Sequence, residues 1–355
     1  MKIGLGMIVR NEEVDLPKCL ATYLPLVDVA CILDTGSNDR TMAVAREILR
    51  AWGKPFILER YMDASDWEGR MCDFGKARNE YVRRLEEFRF THDDSYVDYI
   101  LSADADDIYL SPADLKGYMA ENPADIYMFR YYVGPNSDSY FMAYKLWKAD
   151  SHMRYVGRVH EVLGIDWSLK ILQSEITIKH HVEHHEGQEN GSDRNRRILR
   201  PEIYPPLRSL FYWANENVDI GNHREAIKWY IEYIRRTKEG EPCWDAELAH
   251  CYWRAARWLQ HLGDYASSNL LASELVKIDP TWSEAWCQLA YNARCQNDFV
   301  SMKNFALKAL ENTFSPRLFS EADKYSSTPV QMLAFLEAKE KMDAEELSKI
   351  KEVIK

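Results

Sequence analysis

The chain has 355 residues, 46% of them hydrophobic and 28% charged, with a formal net charge of −11. That length is long for one hydrophobic core and predicts two domains. The acidic balance argues against non-specific nucleic-acid binding, which needs an excess of Lys and Arg along a surface, and no apolar run approaches the roughly 18–20 residues that span a bilayer.

Residues 1 to about 185 alternate apolar runs with helical patterns, as an α/β sheet requires. Ile3 to Val9 reads as a first buried strand, a run far too short for a signal peptide. A helix follows over about Leu16 to Tyr23, a second strand over Val29 to Leu33, and a helix over about Arg40 to Trp52. Phe56 to Leu58 is a third strand, Ala77 to Phe90 is helical, and Val97 to Leu101 is the fourth strand. Shorter apolar segments at Ile126 to Val133, Phe141 to Trp147 and Arg154 to Leu163 predict a mixed sheet with hairpins. Residues 186–206 carry Gly187, Asn190, Gly191, Ser192, Asp193, Pro201, Pro205 and Pro206, the composition of a linker.

Beyond the linker, residues 207–355 are helical in pattern, and the pattern repeats. Gly263-Asp264-Tyr265 returns 34 residues later as Asn297-Asp298-Phe299. Trp286 and Leu289 then stand where Tyr252 and Ala255 stand one period earlier, and Asp279-Pro280 closes the unit. A longer first unit carries Gly221-Asn222-His223, with Ala226 and Tyr230 following. A helix-turn-helix period of this length resembles the tetratricopeptide repeat (TPR), with about three units between Pro206 and Asn312 and a capping helical tail. Such arrays bind peptides or pair subunits and carry no chemistry of their own. The seven cysteines include no Cys-x-x-Cys pair, which predicts reduced thiols and a cytoplasmic protein.

Three elements carry chemistry. Ser102-Ala103-Asp104-Ala105-Asp106-Asp107 stacks three carboxylates behind the fourth strand, at the edge where open α/β sheets bind ligands. Aspartates at i and i+2 of a turn can converge on a hard divalent cation, which then holds phosphate oxygens that carboxylates alone repel. Leu33-Asp34-Thr35-Gly36-Ser37-Asn38-Asp39-Arg40-Thr41 ends the second strand in a tight turn, with Asp34 at the same edge. Asp73-Phe74-Gly75-Lys76-Ala77-Arg78-Asn79-Glu80 opens a helix and offers a cation, an amide and N-terminal N–H groups to a diphosphate or base edge.

In order, Met7-Ile8-Val9-Arg10-Asn11-Glu12-Glu13, the Asp34 turn, Ala77-Arg78-Asn79-Glu80 and Asp104-Ala105-Asp106 resemble the donor-binding half of family-2 nucleotide-sugar glycosyltransferases of the GT-A fold. Tyr155-Val156-Gly157-Arg158-Val159-His160-Glu161 resembles a segment of the bacterial and phage-type subgroup that carries TPRs and includes cysteine S-glycosyltransferases of bacteriocin peptides. The resemblance covers most of the chain, with its motifs between residues 7 and 161. It implies an α/β GT-A domain (1–185), a linker (186–206) and an all-α TPR-like domain (207–355).

It also implies roles. Asp34 would contact uracil or ribose, with backbone near Val9 and Arg10 lining the same pocket. Many relatives have two adjacent aspartates where this chain has Asp-Thr-Gly-Ser, so Asp34 serves alone. Arg78 would help hold the nucleotide, Asp104 would bind ribose or the metal-bound diphosphate, and Asp106 would ligate Mg²⁺ or Mn²⁺. His180, ending the strand-like Ile176-Thr177-Ile178, would complete the metal site, within a cluster that also holds His181, His184 and His185. Family-2 enzymes invert at the anomeric carbon, so a carboxylate should deprotonate the acceptor; Glu161 is the first candidate and Asp107 the second. The implied function is metal-dependent transfer of a sugar from a UDP-sugar such as UDP-glucose to a peptide, protein or glycan, with the repeats presenting the acceptor or forming a homodimer. The alternatives are a hydroxymethylated DNA base as acceptor, and a non-catalytic TPR scaffold with a degenerate nucleotide-binding domain. A nucleotidyltransferase is disfavoured because Arg10-Asn11-Glu12-Glu13 lacks the glycines of a phosphate loop.

Overall fold

A computed structural model describes residues 1–91, 94–133, 140–180, 191–200, 205–314 and 321–354. The chain divides into two compact units, Met1–Leu199 and Arg200–Lys355. The first contains β1 (Ile3–Val9), α1 (Leu16–Tyr23), β2 (Val29–Asp34), α2 (Thr41–Trp52), β3 (Phe56–Arg60), α3 (Phe74–Glu86) and β4 (Tyr99–Ser102). After these come β5 (Asp107–Ser111), α4 (Leu115–Glu121), β6 (Ile126–Val133), β7 (Tyr140–Lys148), β8 (Tyr155–Val156), β9 (Val162–Leu163), β10 (Ile171–His180) and α5 (Gly191–Leu199).

Eight strands form one sheet in the order β3-β2-β1-β4-β7-β6-β10-β5. Strands β3, β2, β1 and β4 run parallel, whereas β7 is antiparallel to both β4 and β6. All six residues of β2 are buried, the continuous run expected of a parallel strand covered on both faces. Ile3, Leu5 and Met7 of β1 join one core with α1, while Tyr81, Val82 and Leu85 of α3 join the core on the other face. Two of the alternate β1 positions facing α3, Gly4 and Gly6, are glycines, and at Gly6 the reason is steric: a Cβ there would lie 2.2 Å from the Tyr81 ring. The strand order turns back on itself at β1 and β4, and the crevice outside their carboxyl ends is where such sheets hold ligands.

The expected α/β sheet with a mixed half is present, with shifted boundaries. Helix α3 begins at Phe74, before the expected Ala77, because Asp73 caps it by accepting from the Lys76 N–H at 2.8 Å. The apolar stretch from Arg154 to Leu163 is only the short β8–β9 hairpin, since Gly157 (φ 105°) and His160 (φ 52°) break extended backbone. The stretch read as a linker contains α5, whose Ile198 and Leu199 are buried. Residues 186–190 and 201–204 of that stretch lie outside the described residues, as do His181, His184 and His185.

The second unit contains α6 (Leu207–Asp219), α7 (His223–Lys238), α8 (Asp245–His261), α9 (Tyr265–Ile278), α10 (Ser283–Cys295), α11 (Phe299–Leu310) and α12 (Ser327–Ile354). The first six pair as three helical hairpins and α12 follows as the tail, the TPR-like arrangement expected. Ala226, Tyr230, Tyr252, Ala255 and Leu289 are all buried, so the repeat signature marks inter-helix packing. The hairpin turns repeat as well: Gly221, Gly263 and Asn297 hold φ of 76°, 83° and 60°. Asp264 and Asp298 then cap α9 and α11 through the Ser267 and Ser301 N–H groups, each at 3.0 Å. All seven cysteines are free thiols, and among the described residues no helix is long and apolar enough to cross a membrane.

Asp298→Ala should lower the urea midpoint through the lost cap. Asn297→Val should cost ~1–2 kcal/mol by forcing a β-branched residue into left-handed backbone. Urea unfolding of the full chain measures both, and unchanged midpoints would contradict the assigned cap and turn.

Candidate active site

Two groups of side chains stand at the carboxyl edge of the parallel strands. The first is built from the loops after β1 and β2, which are stitched together. Asn11 N–H donates to Ser37 Oγ (2.9 Å), Asn38 N–H to Asn11 Oδ1 (2.9 Å), Glu12 N–H to Thr41 Oγ1 (2.7 Å) and Arg40 N–H to Glu13 Oε2 (2.8 Å). The Asn-Glu-Glu run after β1 is therefore a strut that fixes the Asp34 turn. Asp34 itself is fully buried, and both its oxygens are engaged, by Ser37 N–H at 3.0 Å and by Arg60 Nε at 2.9 Å. Val9 lends its carbonyl to Thr35, through the N–H at 2.9 Å and the hydroxyl at 3.1 Å. Arg10 reaches the Gly69 carbonyl at 3.2 Å, so the loop before α3 lies along this edge. Asp34 and Val9 thus shape the turn, and the polar group left at its rim is the half-exposed guanidinium of Arg60, which also donates to the Ser37 carbonyl at 2.7 Å.

The second group is the acidic turn after β4. Asp107 is fully buried and saturated. Its Oδ1 accepts from the Tyr131 hydroxyl at 2.6 Å and faces His180 Nδ1 at 3.0 Å. Its Oδ2 accepts from the Asp104 N–H at 3.0 Å and Lys145 Nζ at 3.0 Å. A carboxylate so enclosed has no free lone pair for an acceptor proton, which removes the physical basis for Asp107 as a base. Asp104 is clamped between Arg78 Nη2 at 2.6 Å and Lys145 Nζ at 3.2 Å. Arg78 also holds Glu161 by its Nε at 2.6 Å, so the structure brings Arg78, Asp104 and Glu161 into one chain of charges. Asp106 is the more open member of the turn and faces His180 Nδ1 at 3.3 Å.

Helix α3 and the 155–161 segment are locked to one another. The Asn79 amide donates to the Tyr155 carbonyl (2.9 Å) and accepts from the Tyr155 N–H (2.7 Å), while Phe74 N–H donates to the Arg158 carbonyl at 2.7 Å. A Cβ on Gly75 would lie 2.3 Å from the Gly157 carbonyl oxygen. The α3 N-terminus is thus satisfied from within, by Asp73 and by this segment. Of the three features the sequence offered there, only Arg78 faces the acidic turn.

The electrostatics follow from burial set against these cations. Burial alone would raise the Asp104 carboxyl, but Arg78 and Lys145 pull it well below the usual carboxylate range. Burial would likewise discharge Lys145, and the Asp104 and Asp107 carboxylates hold its ammonium charged instead. For Asp106 burial wins over His180 and the carboxyl is raised. Burial lowers His180, yet its bonds to Asp106 and Asp107 outweigh that and push it up to about 10. Glu12 is pushed up to about 8, first by burial, then by the fields of Asp106, Asp15, Asp39 and Asp104.

Asp106, Asp107 and His180 each present one atom within 4.8 Å of the others, a grouping able to hold a metal ion. Asp107 is spoken for by its turn, which leaves a carboxylate and an imidazole as the adaptable ligands, a set suited to Mn²⁺ or Mg²⁺ completed by phosphate and water oxygens. Sequence reasoning missed Lys145, Tyr131, Arg60 and Glu12. A lysine between the apolar neighbours of β7 was the one readable signal, since lysine is rarely buried unless paired. Tyr131 and Arg60 look like ordinary strand residues until the sheet is assembled.

No family model matches the chain. Among solved structures it is similar to S. aureus TarS 1-349 in complex with UDP-GlcNAc, at 11% identity and a TM-score of 0.44, over 79% of this chain and 92% of that one. The S. aureus TarS 1-349 complex with UDP gives 11% identity and a TM-score of 0.38, over 93% and 90% of the two chains. The Sgt2 TPR domain from Aspergillus fumigatus gives 16% identity and a TM-score of 0.31, over 40% of this chain and 87% of that domain. A curated TPR repeat-containing protein of Synechococcus elongatus is 36% identical over 106 residues, 30% of this chain; the chain spans 21% of that relative's length.

The raised Glu12 carboxyl makes a pH-dependent stability prediction. Between its unfolded value of 4.5 and about 8, the folded state binds a proton that the unfolded state has lost, so stability falls as pH rises. In chelator-treated protein, Glu12→Gln should leave the melting temperature nearly unchanged at pH 4.5. At pH 8 it should raise it by at least roughly 2–4 °C, the shift that about 1 kcal/mol produces in a domain of this size. Equal shifts at both pH values would contradict the assigned environment.

Proposed function

We propose that this protein is an inverting, metal-dependent glycosyltransferase that moves a sugar from a nucleotide-sugar, a UDP-sugar by its family resemblance, to a peptide, protein or glycan acceptor. The observation that carries this reading is the convergence of Arg78, the Asp104–Asp107 turn, Glu161 and His180 at the carboxyl edge of β1 and β4. A cation-capable acidic site at the carboxyl edge of parallel strands suits a substrate that is itself a polyanion.

In this reading the base and ribose lie along the stitched loops after β1 and β2, with the guanidinium of Arg60 and backbone at Arg10 on their rim. Asp106 and His180 would hold Mn²⁺ or Mg²⁺, which as a Lewis acid offsets charge on the departing diphosphate. Arg78 keeps Asp104 ionised and holds both Asp104 and Glu161 in place, so neither must reorganise when substrate arrives. Glu161 is the proposed general base: its Oε1 is bound by Arg78, and its other oxygen accepts the acceptor's proton as the nucleophile attacks. The TPR-like unit recruits the acceptor or pairs two copies of the chain. It contributes no catalytic group, and the site as read needs only the first unit. The reading places the protein in the cytoplasm.

Asp106→Asn should abolish sugar transfer and metal-dependent UDP binding while leaving the melting temperature close to that of the parent. Glu161→Gln should cut turnover by about 10²–10⁴-fold with UDP affinity retained. Both are read by UDP release from a panel of UDP-sugars. Normal turnover in the Asp106 variant sinks the metal assignment; normal turnover in the Glu161 variant moves the base elsewhere.

A further inference from the structure

Lys145 lies in the middle of β7, next to residues committed to the core: Leu146 and Trp147, which follow it, are fully buried. Its own side chain is only 10% exposed, and its Nζ sits 3.2 Å from Asp104 Oδ2 and 3.0 Å from Asp107 Oδ2. The same ammonium stands 4.5 Å over the ring of Tyr131, whose hydroxyl binds the other oxygen of Asp107. A lysine is rarely withdrawn from water this far unless its charge is paired, and here two carboxylates pair it.

The effect of that pairing is visible in the turn. With Arg78 on Oδ1 and Lys145 on Oδ2, a metal on Asp104 would have to share an oxygen with a bound cation, which repels it. Asp107 is tied in the same way. Asp106, which Lys145 does not span, faces His180 Nδ1 at 3.3 Å and is partly exposed at the edge. A bound diphosphate would bring further negative charge to the same edge. Coulomb repulsion between it and four clustered carboxylates is offset by whatever fixed positive charge the protein has already placed there.

We infer that Lys145 is a positioning residue of the donor site: its buried charge withholds Asp104 and Asp107 from the metal, leaves Asp106 with His180 as the metal-binding pair, and admits the anionic diphosphate. This rests on the nucleotide-sugar reading given above. It has a consequence of unusual sign. Removing the charge releases a second carboxylate toward the cation, so Mn²⁺ alone binds as tightly as before or more tightly. The diphosphate, facing an uncompensated acidic turn, binds more weakly. Simple damage to the site would weaken both.

The test uses the full chain and its K145M and K145R variants, with K145Q in place of K145M if the methionine variant does not fold. Mn²⁺ binding without nucleotide is read from the electron paramagnetic resonance signal of free Mn²⁺, and UDP binding at saturating Mn²⁺ by titration calorimetry. The expected result is unchanged or tighter Mn²⁺ binding by K145M, with UDP affinity lower by about tenfold or more, the loss expected of a charge-assisted contact. K145R, which keeps the charge, should recover most of the UDP affinity. UDP binding undiminished in K145M, or Mn²⁺ and UDP weakened together, overturns the assignment. If the unsubstituted protein binds neither Mn²⁺ nor UDP, the nucleotide-sugar reading fails first and this inference with it.

Discussion

The acidic turn after β4 confronts the fold with a problem of charge. Asp104, Asp106 and Asp107, with Glu161 close by, bring four carboxylates to one partly dry edge of the sheet, where repulsion is strong because water screens it poorly. The protein answers with cations drawn from distant parts of the chain. Arg78 comes from α3 and spans Asp104 and Glu161, Lys145 comes from β7 and spans Asp104 and Asp107, and His180 ends β10 between Asp106 and Asp107. None of these pairs is local in sequence. The site therefore exists only when the parallel and mixed halves of the sheet are both assembled, and it reports the integrity of the whole first unit.

Backbone contacts carry the same logic. The loops after β1 and β2 hold each other through reciprocal side-chain-to-backbone bonds, so the rim of the edge is rigid before any ligand arrives. Helix α3 is seated over β1 by the absence of a side chain at Gly6, and against the 155–161 segment by its absence at Gly75. Those two contacts fix where Arg78 points and where Glu161 is held. Preorganisation of this kind places the reorganisation cost in folding and leaves little for the reaction step.

Much of this was legible in the sequence, and what was not has physical causes. The Asp-Ala-Asp-Asp turn behind an apolar run located the edge, and the 34-residue return of Gly263-Asp264 as Asn297-Asp298 located the repeats through their turns and caps. Both signals are local. Asp34 was legible as a turn residue but not as a buried anchor for Arg60, because that depends on the pairing of β2 with β3. Asp107 looked as good a base as any carboxylate until Tyr131, Lys145 and His180 were seen to enclose it. Helix α5 was hidden by the Gly, Asn and Arg residues around it, since its few apolar positions show only against the surface that covers them. Cross-strand partners such as Lys145 leave a single odd letter in an apolar run, and a single letter does not say what it pairs with.

If this edge of the sheet is a metal-assisted nucleotide-diphosphate site, as proposed, nucleotide binding there depends on the metal. The most direct test is calorimetric titration of the full chain with UDP, GDP, CMP and dTDP, each with Mn²⁺ and with a chelator. The expected result is saturable binding of UDP that requires Mn²⁺ and is displaced by a UDP-sugar. Binding of no nucleotide under either condition, or binding indifferent to the metal, would contradict it and leave the helical repeats as the functional half of the protein.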